Sequence, residues 1–232
     1  MISDNIDRIR EKISRACARA GRTPSEVTLL AVAKTFPAGA VREAIGAGVT
    51  DIGENYVQEL LAKRGVLPGA AVRWHFIGHL QSNKVRQIAP WIHMIHAVDS
   101  AALAIEIDRR ASKEGRVIEC LIEVNTTGER TKFGAAPDQV APLVRSLSSC
   151  DSISLAGLMT IGPFLPDPEG SRPMFRRLRQ LRDEIAALGQ ANVSMRHLSM
   201  GMTGDFEVAI DEGATLIRIG TAIFGPRMRA DH

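Results

Sequence analysis

The sequence predicts an α/β protein of the (β/α)8 barrel class, the TIM barrel, with one extra helix at its amino terminus. Strand-like and helical runs alternate along the chain, eight runs are strand-like, and polar side chains follow the ends of several of them. Alternating strands and helices form right-handed βαβ units around a parallel sheet, and eight units favour a closed barrel. We therefore expect a single barrel domain over residues 1–232.

The individual elements follow from hydrophobic periodicity. The extra helix is predicted over 2–21, where Ile6, Ile9, Ile13 and Cys17 recur near helical spacing. The strand-like runs are short and apolar, and they lie at 27–34, 51–53, 72–78, 94–98, 117–125, 154–161, 194–199 and 215–220. The helical patterns between them lie at 38–47, 55–63, 82–90, 100–114, 137–148, 171–188 and 204–212.

Two features of the chain bear on alternatives to this architecture. A doubly wound open sheet is the other fold that alternation allows, but no GxGxxG follows the first strand-like run. The segment 162–170 holds three prolines and two glycines and is expected to be a loop rather than a domain boundary. Because this loop lies on the same edge as the candidate site, it can be read either as a lid or as an inert surface loop.

Composition excludes several classes of function. The net charge is +3 and only 4% of residues are aromatic, so a nucleic-acid partner is not expected. Cys17, Cys120 and Cys150 are widely spaced, which predicts neither a zinc site nor a disulfide framework. The amino terminus lacks the apolar core of a secretory signal, and no run of 18 apolar residues is present. We expect a cytoplasmic protein with no membrane partner.

Lys34 is the first candidate functional residue, because it ends the apolar run that begins the barrel. Lysine is seldom buried without a partner. A lysine at a strand end can simply reach solvent, or it can be an amine held in a dry pocket that forms a Schiff base with an aldehyde cofactor. On this run alone, the first interpretation is the more common one.

The last strand-like runs add a candidate anion site. Active sites of these barrels lie at the carboxyl ends of the strands, and phosphates are often held by the loops after strands seven and eight. Those loops here contain Ser199-Met200-Gly201 and Gly220-Thr221. Glycines let the backbone approach an anion closely, and the hydroxyls can donate to it. With Lys34 and the barrel pattern, these loops predict a phosphate site.

Arg218 is a further candidate, since it precedes Gly220 by two residues and so shares its strand face. A guanidinium stays protonated and can only donate hydrogen bonds. Opposite a pyridine nitrogen it would keep that nitrogen unprotonated and make the ring a weaker electron sink. The alternative is a core arginine in a structural ion pair.

Six motifs in order carry a family resemblance over about residues 27–225. The motifs are Ala31-Val32-Ala33-Lys34-Thr35, Gly53-Glu54-Asn55-Tyr56-Val57-Gln58-Glu59, His75-Phe76-Ile77-Gly78-His79-Leu80-Gln81-Ser82-Asn83-Lys84, Gly157-Leu158-Met159-Thr160-Ile161, Leu198-Ser199-Met200-Gly201-Met202 and Arg218-Ile219-Gly220-Thr221. With these motifs the chain resembles the pyridoxal phosphate (PLP) homeostasis protein family, which in turn resembles the barrel domain of alanine racemase, the fold-type III class of PLP proteins.

The resemblance implies a cofactor and a role for each site residue. It implies that Lys34 forms the Schiff base with PLP and that Arg218 faces the pyridine nitrogen. The phosphate is assigned to Ser199, Gly220 and Thr221, and the cofactor lining to Asn55 and Met200. Asn125 and Lys132 match the family's pattern around strand five, with roles that the resemblance does not define.

The resemblance implies a carrier in PLP, vitamin B6 and amino-acid homeostasis rather than a robust catalyst. A racemase needs a base on each face of the substrate α-carbon, and the chain has one tyrosine, Tyr56, with few residues after Thr221 for a second domain. The alternatives are a PLP-dependent amino-acid racemase or related enzyme of small amino acids, and a metal-dependent hydrolase using His75, His79, His93 and His96. We expect no metal, a monomer, and PLP-requiring apo-enzymes as partners.

Overall fold

The predicted (β/α)8 barrel is confirmed. The computed structural model describes residues 1–129, 133–147, 149–163 and 165–226. Within these ranges, eight parallel strands close into a barrel in sequence order, β1 to β8. The strands are β1 Thr28–Val32, β2 Asp51–Glu54, β3 Arg73–Phe76, β4 Met94–Val98, β5 Ile118–Glu123, β6 Ile153–Met159, β7 Val193–Ser199 and β8 Leu216–Ile219.

Helices cover the outside of the barrel and alternate with the strands. They are α1 Ile2–Arg19, α2 Ala38–Gly46, α3 Val57–Val66, α4 Ser82–Ile88, α5 Ala101–Lys113, α6 Pro137–Ser146, α7 Arg172–Ala186, α8 Phe206–Asp211 and α9 Thr221–Phe224. Among the described residues, no helix is both long and apolar enough to cross a membrane.

Most element boundaries differ from the sequence-based expectation by a few residues, and three differences concern segments that follow strands. Strand one ends at Val32, so Lys34 lies in the following turn rather than in the strand. The expected loop 162–170 contains a 3-10 helix at Pro168–Ser171, where proline occupies the first helical position that it suits. The four-residue helix α9 was not predicted, because one helical turn is too short to show a periodic pattern.

Strand residues alternate between the barrel interior and the helical layer. Leu30 and Val32 pack with Ile77 inside the barrel, whereas Ala31 and Ala33 join the large apolar cluster under the helices. This alternation follows from the pleat of the strand. Inward side chains near the carboxyl ends of the strands therefore collect at one end of the barrel, which we call the mouth.

Helix α1 supports the part of the barrel next to the last loop. Its buried residues Ile6, Ile9 and Ile13 form one apolar face at helical spacing. The helix packs on α8 and α9, and Asn5 Nδ2 donates to the carbonyl oxygen of Ile223 at 2.8 Å. The extra helix thus contacts the element that begins at Thr221.

Candidate functional site

Lys34 lies at the mouth in a tight turn over residues 33–36. The amide of Phe36 donates to the carbonyl oxygen of Ala33 at 3.0 Å, and Thr35 has a φ of 67°. A β-branched residue in the left-handed region is strained, so surrounding contacts must hold this backbone in place. Lys34 itself is half-buried.

A second lysine, Lys63 on α3, holds that turn. Its Nζ is buried and donates to the carbonyl oxygen of Ala33 at 2.7 Å, to Glu54 Oε1 at 2.5 Å and to Glu59 Oε2 at 2.9 Å. The same Glu59 oxygen accepts from the backbone N–H of Thr35 at 2.8 Å. The cluster of Lys63, Glu54 and Glu59 therefore clamps the backbone on both sides of Lys34.

Sequence reasoning missed this clamp. Glu54 directly ends a buried strand, and Glu59 and Lys63 are four residues apart on α3, which is helix-neighbour spacing. Such pairs usually lie on exposed helix faces, so the spacing alone does not reveal a buried cluster. Burial raises the pKa of Glu54 to about 7, and the hydrogen bond from Lys63 opposes that rise.

Arg218 is buried inside the mouth, where its guanidinium joins two neighbouring strands. Its Nη1 donates to Ser199 Oγ and its Nη2 donates to the carbonyl oxygen of Thr160, both at 2.7 Å. Burial lowers the pKa of Arg218 to about 10, with Glu123 and Asp205 opposing the decrease. The side chain therefore remains a cationic hydrogen-bond donor at neutral pH.

A buried chain of hydrogen bonds leads from Arg218 through the barrel interior. Ser199 Oγ lies 3.0 Å from His96 Nδ1, and His96 Nε2 lies 3.0 Å from His75 Nδ1. His75 Nε2 in turn lies 2.8 Å from Asp51 Oδ1. At the other end of the barrel Arg73 binds Asp51 through Nε and Nη2, at 2.8 and 2.6 Å.

With both imidazoles neutral, one arrangement of protons satisfies every link of this chain. Arg218 donates to Ser199, Ser199 to His96, His96 to His75 and His75 to Asp51. Burial holds the pKa of His96 well below its usual range. Burial alone would raise the pKa of Asp51, but the hydrogen bonds from His75 and Arg73 hold it well below its usual range. This row of hydrogen bonds inside the barrel orients the Arg218 guanidinium through Ser199.

The two loops predicted to bind phosphate lie next to each other and next to β1. Thr221 Oγ1 donates to Thr203 Oγ1 at 3.3 Å, which links the loops after β8 and β7. A Cβ on Gly220 would lie 3.3 Å from the carbonyl oxygen of Val32, so the last loop approaches β1 two residues before Lys34. The structure thus brings Lys34, Gly220 and Thr221 to one side of the mouth.

The loop after β7 has structural reasons for its sequence beyond anion binding. Gly201 has a φ of 90°, and a Cβ there would lie 2.6 Å from Ala209 Cβ on α8. Met200 is buried, and the Ser199 hydroxyl is already bonded to Arg218 and His96. Ser199 is thereby placed to position Arg218, a contact that the sequence did not reveal.

A cavity of about 570 Å³ opens on the β2, β3 and β5 side of the mouth. Phe76, Ile77, Phe133 and Ile161 form apolar parts of its wall, and Glu123 lines it from the end of β5. Asn55 also lines it, and Asn55 Oδ1 is a buried acceptor without a hydrogen-bond partner among the described residues. We call this space the Glu123 cavity.

These residues fit a phosphorylated pyridine aldehyde such as PLP. Lys34 supplies an amine, Arg218 supplies donors for a ring nitrogen, and the paired loops supply an anion site. The orphaned Asn55 Oδ1 needs a donor, which a ring hydroxyl can provide. A Cβ on Gly78 would lie 2.3 Å from the carbonyl oxygen of Asn55, so glycine there is what lets Asn55 reach this position.

The remaining candidates are Tyr56, Asn125 and Lys132. Tyr56 lines the Glu123 cavity and is 57% exposed. Asn125 uses its side chain within its own loop, donating to the carbonyl oxygen of Glu129 at 2.8 Å and accepting from Thr127 and Gly128. Lys132 lies outside the described residues.

The histidines of the metal hypothesis do not form a ligand cluster. His75 and His96 are bonded to each other, and the ring of His93 contacts His75 at 5.1 Å between centroids. Over residues 1–129, 133–147, 149–163 and 165–226, no group of three or more His, Cys, Asp or Glu side chains is arranged to hold a metal ion.

Comparisons with known proteins agree with this geometry. Residues 5–228 match the family described as alanine racemase, N-terminal domain. A protein of Aquifex aeolicus named pyridoxal phosphate homeostasis protein is 46% identical over 224 residues, which cover 97% of each chain.

Solved structures of PipY and of an alanine racemase are similar to this chain. PipY of Synechococcus elongatus with PLP bound superposes with a TM-score of 0.84 at 34% identity, covering 97% of this chain and 100% of that one. An alanine racemase of Clostridium difficile superposes with a TM-score of 0.74 at 14% identity. It covers 98% of this chain and 58% of the racemase, a likeness of fold alone.

Proposed function

Because the chain belongs to the alanine racemase N-terminal domain family, and within it to the pyridoxal phosphate homeostasis proteins, we propose that it binds PLP and acts in intracellular PLP homeostasis. The observation that carries this proposal is the convergence of Lys34, the buried Arg218 and the linked loops at one barrel mouth. When bound, PLP supplies an aldehyde that can be held on an amine and an electron-accepting ring.

Each site residue has a proposed role. Lys34 holds the cofactor as a Schiff base, and the clamp of Lys63, Glu54 and Glu59 fixes the turn that presents it. Arg218 donates to the pyridine nitrogen and is oriented by Ser199. The phosphate is held by Gly220, Thr221 and the loop that follows Ser199 at the end of β7, while Asn55 and Met200 line the cofactor.

We further propose that the protein is a carrier of PLP. Residues 1–232 act as one PLP-binding domain, as a monomer, and pass the cofactor to PLP-requiring apo-enzymes. Tyr56 lines the Glu123 cavity but is 57% exposed, which supports holding rather than conversion, since a catalytic tyrosine would have to be held against the substrate. The unpaired thiols of Cys17, Cys120 and Cys150 support a cytoplasmic location.

A titration with PLP tests the binding proposal. The wild-type protein is expected to take up one PLP with a visible absorption band, and Lys34→Ala is expected to lose that band. Lys113→Ala, an exposed lysine on α5, is the matched control and should behave as the wild type. If Lys34→Ala keeps the band, the assignment of the amine is wrong.

Chiral chromatography separates the carrier from the racemase alternative. The PLP-loaded protein is incubated with L- and D-amino acids, and no substantial interconversion is expected. Rapid interconversion by the wild type that disappears in Lys34→Ala would replace the carrier proposal with a catalytic one.

A further inference from the structure

The Glu123 cavity contains a buried carboxyl that the proposed cofactor contacts do not use. Glu123 is 6% exposed and ends β5, and its side chain makes no hydrogen bond or ion pair with any described residue. Buried acidic side chains are normally paired, because desolvation of an unpaired charge is costly. The carboxyl therefore presents an acceptor to whatever enters the cavity.

The charged groups around Glu123 leave this acceptor unsatisfied. Arg218 on β8 is close enough to influence it electrostatically, but the Arg218 hydrogen bonds go to Ser199 and Thr160. The carboxylate of Asp99, after β4, repels the ionised form of Glu123 and helps to raise its pKa. On the β3 and α4 side, the cavity is lined by His79 and by Lys84, which is half-buried.

The walls of the cavity select the shape of a ligand. Phe76 and Ile77 lie deep, while Phe133 and Ile161 are 57% and 40% exposed at the opening. The Phe133 ring stacks on His79, with centroids 4.0 Å apart. An apolar stem can bury its methylenes against such walls, and removing each methylene from water favours binding.

We propose that the Glu123 cavity binds a primary ammonium group carried on an apolar stem, with the Glu123 carboxylate as its partner. Two sources share this chemistry, a free alkylamine and the lysine side chain of a polypeptide. The opening favours the polypeptide, because Lys84, Gln81 and the Tyr56 hydroxyl can donate to backbone carbonyl groups there.

The position of the cavity gives this site a role that rests on the proposed function. In a closed eight-stranded barrel β5 stands opposite β1, so Glu123 and Lys34 approach the mouth from opposite sides. An amine held by Glu123 is therefore placed across the mouth from the lysine that we assign to the cofactor. In the transfer that this placement allows, the amine nitrogen forms the new C=N bond as the bond from that carbon to Lys34 Nζ breaks, and the proton that the ammonium gives up to Glu123 ends on the freed Lys34 amine.

Binding of n-butylammonium to the PLP-free wild-type protein tests the site without reference to the cofactor. Isothermal titration calorimetry is expected to show binding of n-butylammonium at about pH 8. n-Butanol has the same stem without the charge, and we expect it to bind at least about tenfold more weakly. Binding of the ammonium should weaken at about pH 6, because burial raises the pKa of Glu123 to about 7 while an alkylammonium stays protonated.

Two variants and one peptide complete the experiment. Glu123→Gln is expected to lose about tenfold in n-butylammonium affinity. The control is Glu119→Gln, four residues before Glu123 on β5. It removes a carboxyl that pairs with Arg196, and it is expected to bind the amine as the wild type does. Nα-acetyl-lysine N-methylamide should bind more tightly than n-butylammonium if a polypeptide is the source, and no more tightly if a free amine is.

Equal binding of the amine by Glu123→Gln and wild type, or equal binding of n-butanol and n-butylammonium, would overturn the proposal. Because the protein is free of cofactor, either result leaves the PLP titration untouched. Conversely, a failed PLP titration leaves the amine measurement interpretable.

Discussion

At the scale of single residues, two buried ionisable groups at the mouth differ in how they are satisfied. Arg218 has hydrogen-bond partners on β7 and after β6, whereas Glu123 has no side-chain partner among the described residues. A buried charge without a partner destabilises the fold when it is ionised. The stability of the protein should therefore depend on the protonation of Glu123.

We predict that Glu123→Gln stabilises the PLP-free protein at about pH 8 and not at about pH 4.5. Burial raises the folded-state pKa of Glu123 to about 7, above the value of roughly 4.3 in an unfolded chain. The folded state therefore binds more protons between these values, and wild-type stability falls as the pH rises through this window. Urea unfolding at both pH values should show a gain of about 1–3 kcal/mol at the higher pH only.

A difference between the two proteins that is the same at both pH values would contradict this assignment. Such a result would mean that the substitution acts through packing rather than through the titration of the carboxyl.

Single residues also show what the sequence could predict about the site. Lys34 and Arg218 were predictable, because a cationic residue in or just after an apolar strand stands out against its neighbours. Lys63 and Glu123 were not. A lysine on an amphipathic helix and a glutamate at a strand end are ordinary in sequence, and only the tertiary packing buries them.

At the scale of elements, the turn after β1 depends on α3 more than on its own residues. Thr35 is strained, and its N–H and the carbonyl of Ala33 are held by Glu59 and Lys63. The connection from β1 to α2 is thus fixed from the following βα unit. This is why the position of the Lys34 turn could not be deduced from the local sequence.

Lys63→Met is predicted to destabilise the protein by about 3–5 kcal/mol, because it leaves the fully buried Glu54 without its ion-pair partner. The Lys34 turn should also loosen, so PLP affinity should fall even under conditions where the variant is folded. Urea unfolding and PLP titration measure the two effects. Lys113→Met, at an exposed position on α5, is the matched control and should change neither.

An unchanged PLP affinity in a destabilised Lys63→Met protein would contradict the clamp. The cluster would then contribute to folding without positioning Lys34.

At the scale of the whole molecule, the barrel closes unevenly. The ladder between β7 and β8 registers one residue pair in the described structure, Ser199 with Leu216, whereas β5 and β6 share six. Backbone amides of Thr215, Met200 and Arg218 donate hydrogen bonds across this short ladder. The ladder forms a seam between the two loops that we assign to the phosphate. The strand order of the barrel was predictable from the alternation of strands and helices. The register between β7 and β8 was not, because it depends on register shifts between earlier pairs of strands that leave no sequence pattern.

We predict that PLP binding protects this seam from amide hydrogen exchange. In the PLP-free protein, amides of β8 should exchange faster than those of β5, because β8 has a short ladder with β7 and local opening follows the fewest contacts. A phosphate bound by both loops should slow exchange at 199–202 and 216–221. Protection that changes elsewhere in the barrel but not at this seam would contradict the assigned phosphate site.

The central claim is that one amine, that of Lys34, holds the cofactor. Borohydride reduction of the PLP-loaded wild-type protein, followed by proteolysis and mass spectrometry, tests it most directly. We predict a single pyridoxyl group on the peptide that contains Lys34. A group found instead on Lys63, Lys84 or Lys132, or no covalent group at all, would contradict the account.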